Sequence, residues 1–392
     1  MVFKKRDVAI VGIGSTTFGE HWGTGLKELT TKAGFEAAED AGIRGKDIDA
    51  VIVGNMSGGK FVGQEHVAAL MTDFLGLNPR PAIRVEAACA SGGVALRQGY
   101  MAVAAGFHDL VAVGGVEKMT DVYGSGAITA LAGAMDFSWE AYFGATFPGI
   151  YALIAQRYMH DYNLTREQLA EVAVKNHYHG SLNPLAHFKN RINLDDVLNS
   201  RLIADPLRLY DCSPISDGAA CVLLAPAEDA RKYTDTPIII ETSRQASGTL
   251  SLFMREDICT IAATKIAAEQ AFDDTSLSRK DIDLVEVHDC FTIAEILALE
   301  DLGFVKKGEG GKLYAEDQTY IDGDFPVNSD GGLKAAGHPV GATGIKQIVE
   351  LVTQLRGEAE NGRQVNNAEV GLAHNLGGSG ATVVVSILRR GD

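Results

Sequence analysis

Cys89 lies in the run Glu86-Ala87-Ala88-Cys89-Ala90-Ser91-Gly92-Gly93, where small residues crowd a thiol and an Ala-rich helix is expected to open at or just after it. A helix N-terminus stabilises an anion, and thiols so placed have pKa values lowered from about 8.5 to roughly 3.5 to 7.5. The setting predicts a thiolate nucleophile. The competing reading is a buried structural cysteine, since free cysteines are among the most buried residue types. The company Cys89 keeps decides between the two.

His338 ends the segment Asn328-Ser329-Asp330-Gly331-Gly332-Leu333-Lys334-Ala335-Ala336-Gly337 and is followed by Pro339. Glycines let the backbone approach a ligand closely, and the proline restricts the histidine backbone. With an ordinary pKa near 6.5, such a histidine can deprotonate a thiol or donate to a carbonyl oxygen. His288-Asp289-Cys290-Phe291 follows an expected strand over Leu284 to Val287. That puts a second histidine and thiol at a strand's end, where α/β sites form. Cys290 suits an acid and base for carbon, or simple packing. His374-Asn375-Leu376-Gly377-Gly378-Ser379-Gly380 is expected to end a strand begun at Val370. Its glycine-rich turn can aim N–H groups at an oxyanion.

The elements that must hold these residues recur in the chain. Ala37-Ala38-Glu39-Asp40-Ala41 runs into Lys46-Asp47-Ile48-Asp49 and the apolar Ala50 to Gly54, and Ala267-Ala268-Glu269-Gln270-Ala271 runs into Lys280-Asp281-Ile282-Asp283 and Leu284 to Val287. Each copy is a helix-to-strand unit of an α/β layer fold. Downstream, Cys89 opens a helix leading to a strand over Leu110 to Gly114, and Gly337 to Gly344 opens one leading to a strand near Val370. Two duplicated halves packed about a pseudo-two-fold axis would bring Cys89 and His338 face to face. Residues 119–206 are poorer in strand signals, with helical pattern over Thr165 to Asn176, and read as an inserted loop domain: a lid or binding arm, or a flap used in oligomer contacts. The expected division is 1–118 with 207–246 as the half carrying Cys89, 119–206 as the insertion, and 247–392 as the other half.

A formal charge of −16 disfavours nucleic acid and anionic lipid as partners. The longest apolar stretches, such as Asp109 to Gly115 and Pro237 to Ile240, fall far short of the roughly 20 residues that span a bilayer, so no membrane span is expected. Met1 to Arg6 leads directly into the apolar Val8 to Val11, unlike a secretory leader. Five scattered cysteines without a CxxC pair indicate neither a disulfide framework nor a zinc ribbon, and a reducing cytoplasm is expected.

The Cys89 segment, Gly337-His338-Pro339 with Gly341-Ala342-Thr343-Gly344, and Gly377 to Gly380 resemble, in order, the signature blocks of the thiolase family. Asp205-Pro206-Leu207 through Ser216-Asp217-Gly218-Ala219-Ala220 resembles a further block. The likeness covers nearly the whole chain and implies an α/β thiolase fold, two duplicated halves layered α-β-α-β-α. Many thiolases carry Asn-Glu-Ala-Phe where this chain has His288 to Phe291, and Cys-x-Gly where it has His374 to Leu376. The second cysteine has moved to Cys290, as in sterol-carrier-type thiolases and archaeal acetoacetyl-CoA thiolases.

That resemblance implies acetyl-CoA C-acetyltransferase chemistry: a Claisen condensation of two acyl-CoA through acyl-Cys89, or its reverse. His338 would activate Cys89, Cys290 would move the α-proton, and His288 with His338 would hold the enolate oxygen. The backbone amides of Cys89 and Leu376 are implied as donors to the tetrahedral oxygen, with His374 lining the site. Coenzyme A is implied as substrate and product, with no covalently bound cofactor and no metal. A homodimer or homotetramer is implied, as is a complex with HMG-CoA synthase and a small acyl-CoA-binding OB-fold protein. Among rivals, the dinucleotide motif Gly12-Ile13-Gly14 lacks its third glycine at Thr17. A zinc site from Cys89, Cys290, His288 and His338 lacks tight local spacing. A non-condensing acyl-CoA or lipid-binding scaffold would be expected to lose the nucleophile, and a decarboxylating ketoacyl synthase would not need Cys290.

Overall fold

The computed structural model describes residues 6–360 and 362–391. Strands β1 (Val8–Ser15), β2 (Ala50–Gly54), β3 (Ala82–Val85), β4 (Val111–Glu117), β5 (Gly218–Pro226), β6 (Ile238–Ser247), β7 (Leu284–Val287), β8 (Val370–Gly377) and β9 (Thr382–Arg390) form one mixed sheet, ordered β3-β2-β4-β5-β1-β6-β9-β8-β7. Every residue of β2, β4 and β5 is buried. Helices cover both faces, which is why these strands are unbroken runs of apolar and small residues instead of alternating ones.

The sheet repeats itself about its middle. At the junction β1 pairs antiparallel with β6 through Val8↔Ile240, Ala9↔Ile239 and Ile10↔Ile238. Outward on one side come β5 (antiparallel), β4 (antiparallel), then β2 and β3 (parallel). Outward on the other come β9 (antiparallel), β8 (antiparallel), β7 (parallel), and a parallel bridge from Val285 to Val327 where the counterpart of β3 would lie. The duplication read from the two Lys-Asp-Ile-Asp segments is thus present as matching strand order and direction.

Helices α1 (Leu26–Asp40), α2 (Val67–Phe74), α3 (Ser91–Ala104), α4 (Gly124–Ala132), α5 (Phe147–Tyr162), α6 (Arg166–Leu182), α7 (Ala262–Asp273), α8 (Thr292–Asp301) and α9 (Thr343–Arg356) complete the layers. Helix α1 packs on β1, β4 and β5, and α7 on β6 and β9. Helices α3 and α9 pack on each other and each touches strands of both halves, giving the order α-β-α-β-α.

Glycines make that central contact close. A Cβ at Gly92 would stand 3.0 Å from the Gly341 carbonyl, and one at Gly344 would stand 2.3 Å from the Gly93 nitrogen. The starts of α3 and α9 therefore touch backbone to backbone, which places the two loops carrying Cys89 and His338 side by side.

The segment between β4 and β5 is more helical than a loop reading suggests, because it contains α4, α5 and α6. Thr165 caps α6, accepting from the Gln168 N–H at 3.2 Å while Gln168 Oε1 accepts from the Thr165 N–H at 3.0 Å. Among the described residues, no helix is long and apolar enough to cross a membrane.

Candidate active site

Three side chains from three loops converge. Cys89 Sγ and one imidazole nitrogen each from His288 and His338 lie within 4.8 Å of one another, and all three residues are buried. Cys89 precedes α3, His288 follows β7, and His338 sits between a π-turn over Gly332–Ala336 and α9.

The chain turns sharply at the thiol. Ala88, which is not a glycine, has φ 52°, and Ser91 Oγ donates to the Ala88 carbonyl at 2.6 Å while accepting from the Ala87 N–H at 2.9 Å. A left-handed alanine costs roughly 1–2 kcal/mol, held here by the Ser91 bonds and the packing of α3. The expected thiolate is not the resting state. Burial pushes the Cys89 thiol up to about 12, and nearby Glu117 adds to the rise. The backbone N–H groups of Gly378 and of Cys89 itself pull the other way without reversing it. Desolvation outweighs the helix terminus, so this thiol needs a base.

Hydrogen bonds fix which nitrogen of His338 carries the proton. Its Nδ1 lies 2.7 Å from Thr343 Oγ1, and the Thr343 hydroxyl gives its own proton to the Pro339 carbonyl at 3.0 Å. The hydroxyl can therefore only accept from the ring, so Nδ1 carries the proton and Nε2 keeps its lone pair. Burial lowers His338 to about 3, keeping the imidazole neutral. The His338 N–H donates to Ser216 Oγ at 3.2 Å. Adjacent Asp217 accepts from Lys118 Nζ at 2.8 Å, Met119 N at 2.7 Å and Thr120 N at 2.9 Å. The Ser216-Asp217 block thus ties the histidine loop to the end of β4.

His288 is fully buried, and burial, with His338 and His374 nearby, holds it well below the ordinary histidine value. Its ring meets that of His338 edge-on, centroids 5.0 Å apart. Asn375 reaches it from β8: Nδ2 lies 3.3 Å from His288 Nδ1 and 3.2 Å from the Cys89 carbonyl, while Oδ1 accepts from the Gly93 N–H at 3.0 Å. His288 Nε2 is buried with no partner among the described residues.

His374 stands behind this group instead of lining it. Its Nε2 pairs with Thr264 Oγ1 at 3.0 Å, and its Nδ1 faces the His288 N–H at 3.5 Å. Strand β8 also runs past His374 to Gly377, so His374, Asn375 and Leu376 are strand residues opposite Val385, Val384 and Val383. The amide that reaches the Cys89 sulfur is accordingly that of Gly378, in the turn, and not that of Leu376.

Cys290 is buried beside the site, its thiol pushed far up by burial and further by the charge of Cys89. The Tyr151 hydroxyl is within hydrogen-bonding reach of Cys290 and donates to the Gly378 carbonyl at 3.3 Å. The Tyr151 ring stacks on Phe291 with centroids 4.6 Å apart. Tyr151, Thr343 and Asn375 are the site residues that sequence reasoning passed over. Thr343 and Asn375 lie inside the singled-out motifs, whereas Tyr151 carries no local signal in α5. A cavity of about 530 Å³ opens alongside, lined by Gly248, Arg255, Lys265 and Gly380 among others. Arg255 Nη2 donates to Ser379 Oγ there at 2.8 Å, and its Nη1 is buried without a partner among the described residues.

Known proteins resemble this chain over nearly its whole length. Residues 8–228 match the family model for the thiolase N-terminal domain, and residues 245–390 that for the thiolase C-terminal domain-like unit. The chain is 57% identical to the acetyl-CoA acetyltransferase of Methanothermobacter thermautotrophicus, over 98% of this chain and 100% of that one. It is 51% identical to the acetyl-CoA acetyltransferase of Methanocaldococcus jannaschii, over 98% and 99%. Among solved structures, the Ltp2-ChsH2(DUF35) aldolase superposes with a TM-score of 0.85 at 28% identity, covering 98% of each chain.

Proposed function

The chain belongs to the thiolase family, and we propose that it is an acetyl-CoA C-acetyltransferase that joins two acetyl-CoA molecules through an acyl group carried on Cys89. The observation that carries this reading is the convergence of Cys89, His288 and His338 within 4.8 Å. His338 Nε2 takes the thiol proton as Cys89 Sγ attacks the thioester carbonyl. With both groups neutral at rest, proton transfer accompanies attack instead of preceding it. The N–H groups of Cys89 and Gly378 receive the tetrahedral oxygen, and coenzyme A leaves with the proton from His338. Removing one such donor typically costs about 2.7–4 kcal/mol of transition-state stabilisation.

In the second half-reaction the Cys290 thiol proton passes to His338, neutral again after coenzyme A has left, and the Cys290 thiolate takes the α-proton of a second acetyl-CoA. The Nε2–H groups of His288 and His338 donate to the enolate oxygen, and the enolate carbon attacks the acyl carbon to release acetoacetyl-CoA and a Cys89 thiolate, which takes its proton back from His338. Cys290, buried with a high pKa, suits a proton shuttle that returns to the neutral thiol. The cavity lined by Arg255 and Lys265 is the candidate place for coenzyme A, although Glu256 and Asp257 in the same lining offset the two cations. The reading needs no metal, although a thiol with two imidazoles matches zinc-site ligand types. It places the enzyme in the cytoplasm as a homo-oligomer. A complex with HMG-CoA synthase and a small acyl-CoA-binding protein goes with it, and the two-component name of the Ltp2-ChsH2(DUF35) aldolase supports assembly with a second protein.

Isotope exchange tests the first half-reaction alone. Labelled coenzyme A should enter acetyl-CoA without net condensation, as ping-pong chemistry requires. Turnover of acetoacetyl-CoA without any such exchange would exclude the acyl-enzyme route.

A further inference from the structure

We infer that Asn375 is the positioning residue that fixes the proton of His288 on Nε2 and so makes that nitrogen a hydrogen-bond donor to substrate oxygen. The inference rests on the reading above for its catalytic consequence, but its structural part stands on the hydrogen bonds alone.

The amide of Asn375 cannot be turned around. Its Oδ1 accepts from the Gly93 N–H at 3.0 Å, and its other end faces the Cys89 carbonyl at 3.2 Å, which only a donor can satisfy. Two glycines form the slot for that oxygen: a Cβ at Gly93 would come within 2.8 Å of Oδ1 and one at Gly344 within 2.3 Å. The amide nitrogen has two protons. One goes to Cys89 and the second to His288 Nδ1 at 3.3 Å, so Nδ1 must present its lone pair.

A neutral imidazole then holds its single proton on Nε2. The titratable groups that act on this ring are His338 and His374, with Cys89 in the same cluster, and burial keeps the ring neutral. Among the described residues nothing receives the Nε2 proton. An unmade hydrogen bond from a buried donor costs about 1–3 kcal/mol, a cost removed when a substrate oxygen arrives. Asn375 thus joins the nucleophile loop and the start of α3, both from the half carrying Cys89, to the oxygen-binding histidine of the other half.

Histidine-selective ¹⁵N NMR of the natural enzyme tests this directly. His288 should show a protonated Nε2 and a bare Nδ1 at neutral pH; a proton on Nδ1 would overturn the inference. In Asn375→Asp the carboxylate draws the proton to Nδ1, and condensation kcat should fall by about 10²–10³-fold, the usual effect of losing one oxyanion donor, with KM little changed. If that folded variant keeps the natural tautomer and kcat, the inference is wrong. Failure of the natural enzyme to exchange coenzyme A would instead remove the proposed function and leave the tautomer assignment standing.

Discussion

Thr343 Oγ1 stands 2.7 Å from His338 Nδ1 and has already given its proton to the Pro339 carbonyl. The pairing leaves His338 one usable lone pair, on Nε2, and so decides which nitrogen can meet the thiol.

Thr343→Val should therefore lose much of the base function while Thr343→Ser retains it. General base catalysis contributes roughly 10²–10⁴-fold, which bounds the loss. Measuring the acylation rate by single-turnover release of coenzyme A compares the two, and equal rates would remove Thr343 from the account.

Cys290→Ser separates the half-reactions. Acyl-enzyme formation and coenzyme A exchange should persist within a few-fold, whereas condensation and thiolysis should fall by about 10² or more. Equal loss of both would mean that Cys290 supports the fold around Tyr151 and Phe291 instead of moving a proton.

Arg255→Ala should raise KM for acetyl-CoA with a smaller change in kcat, since the guanidinium flanks a cavity and not the reacting atoms. Its Ser379 contact makes a modest kcat effect expected. A steady-state titration distinguishes this from a change confined to kcat.

Acid and alkali should destabilise the fold for different reasons. Burial lowers His177 to about 4 and His179, His338 and His374 to about 3, against 6.5 unfolded, and lowers His288 too. The unfolded chain binds more protons at these sites below pH 6.5, so stability falls as pH drops through that window. Glu117 and Asp289 are raised to about 7 by burial, against 4.5 and 3.8, so the folded chain binds more protons there and stability falls as pH rises toward 7. Denaturant midpoints should peak between about pH 5 and 7 and fall most steeply below about pH 4.5.

Much of this arrangement was legible before the structure because it depends on local rules. The Lys-Asp-Ile-Asp turns mark the duplication, and the glycines beside Cys89 and His338 are the same ones that let α3 and α9 touch. What escaped was set by distant neighbours. The expected thiolate at Cys89 followed from a helix terminus two residues away, but desolvation comes from the surrounding layers and reverses the sign. The amide that reaches the Cys89 sulfur comes from Gly378, past the end of β8, and not from Leu376, the donor the resemblance implies. His374 was expected at the site, yet its ring is engaged by Thr264 at the start of α7. Tyr151 arrives from α5, and no spacing relates it to Cys290.

Intact-protein mass spectrometry after brief exposure to acetyl-CoA tests the central claim most directly, with the natural chain and Cys89→Ala run in parallel. The account predicts one acetyl increment on the natural chain, absent from the variant and discharged by added coenzyme A. An increment that survives in Cys89→Ala, or none on a natural chain that still condenses acetyl-CoA, would contradict it.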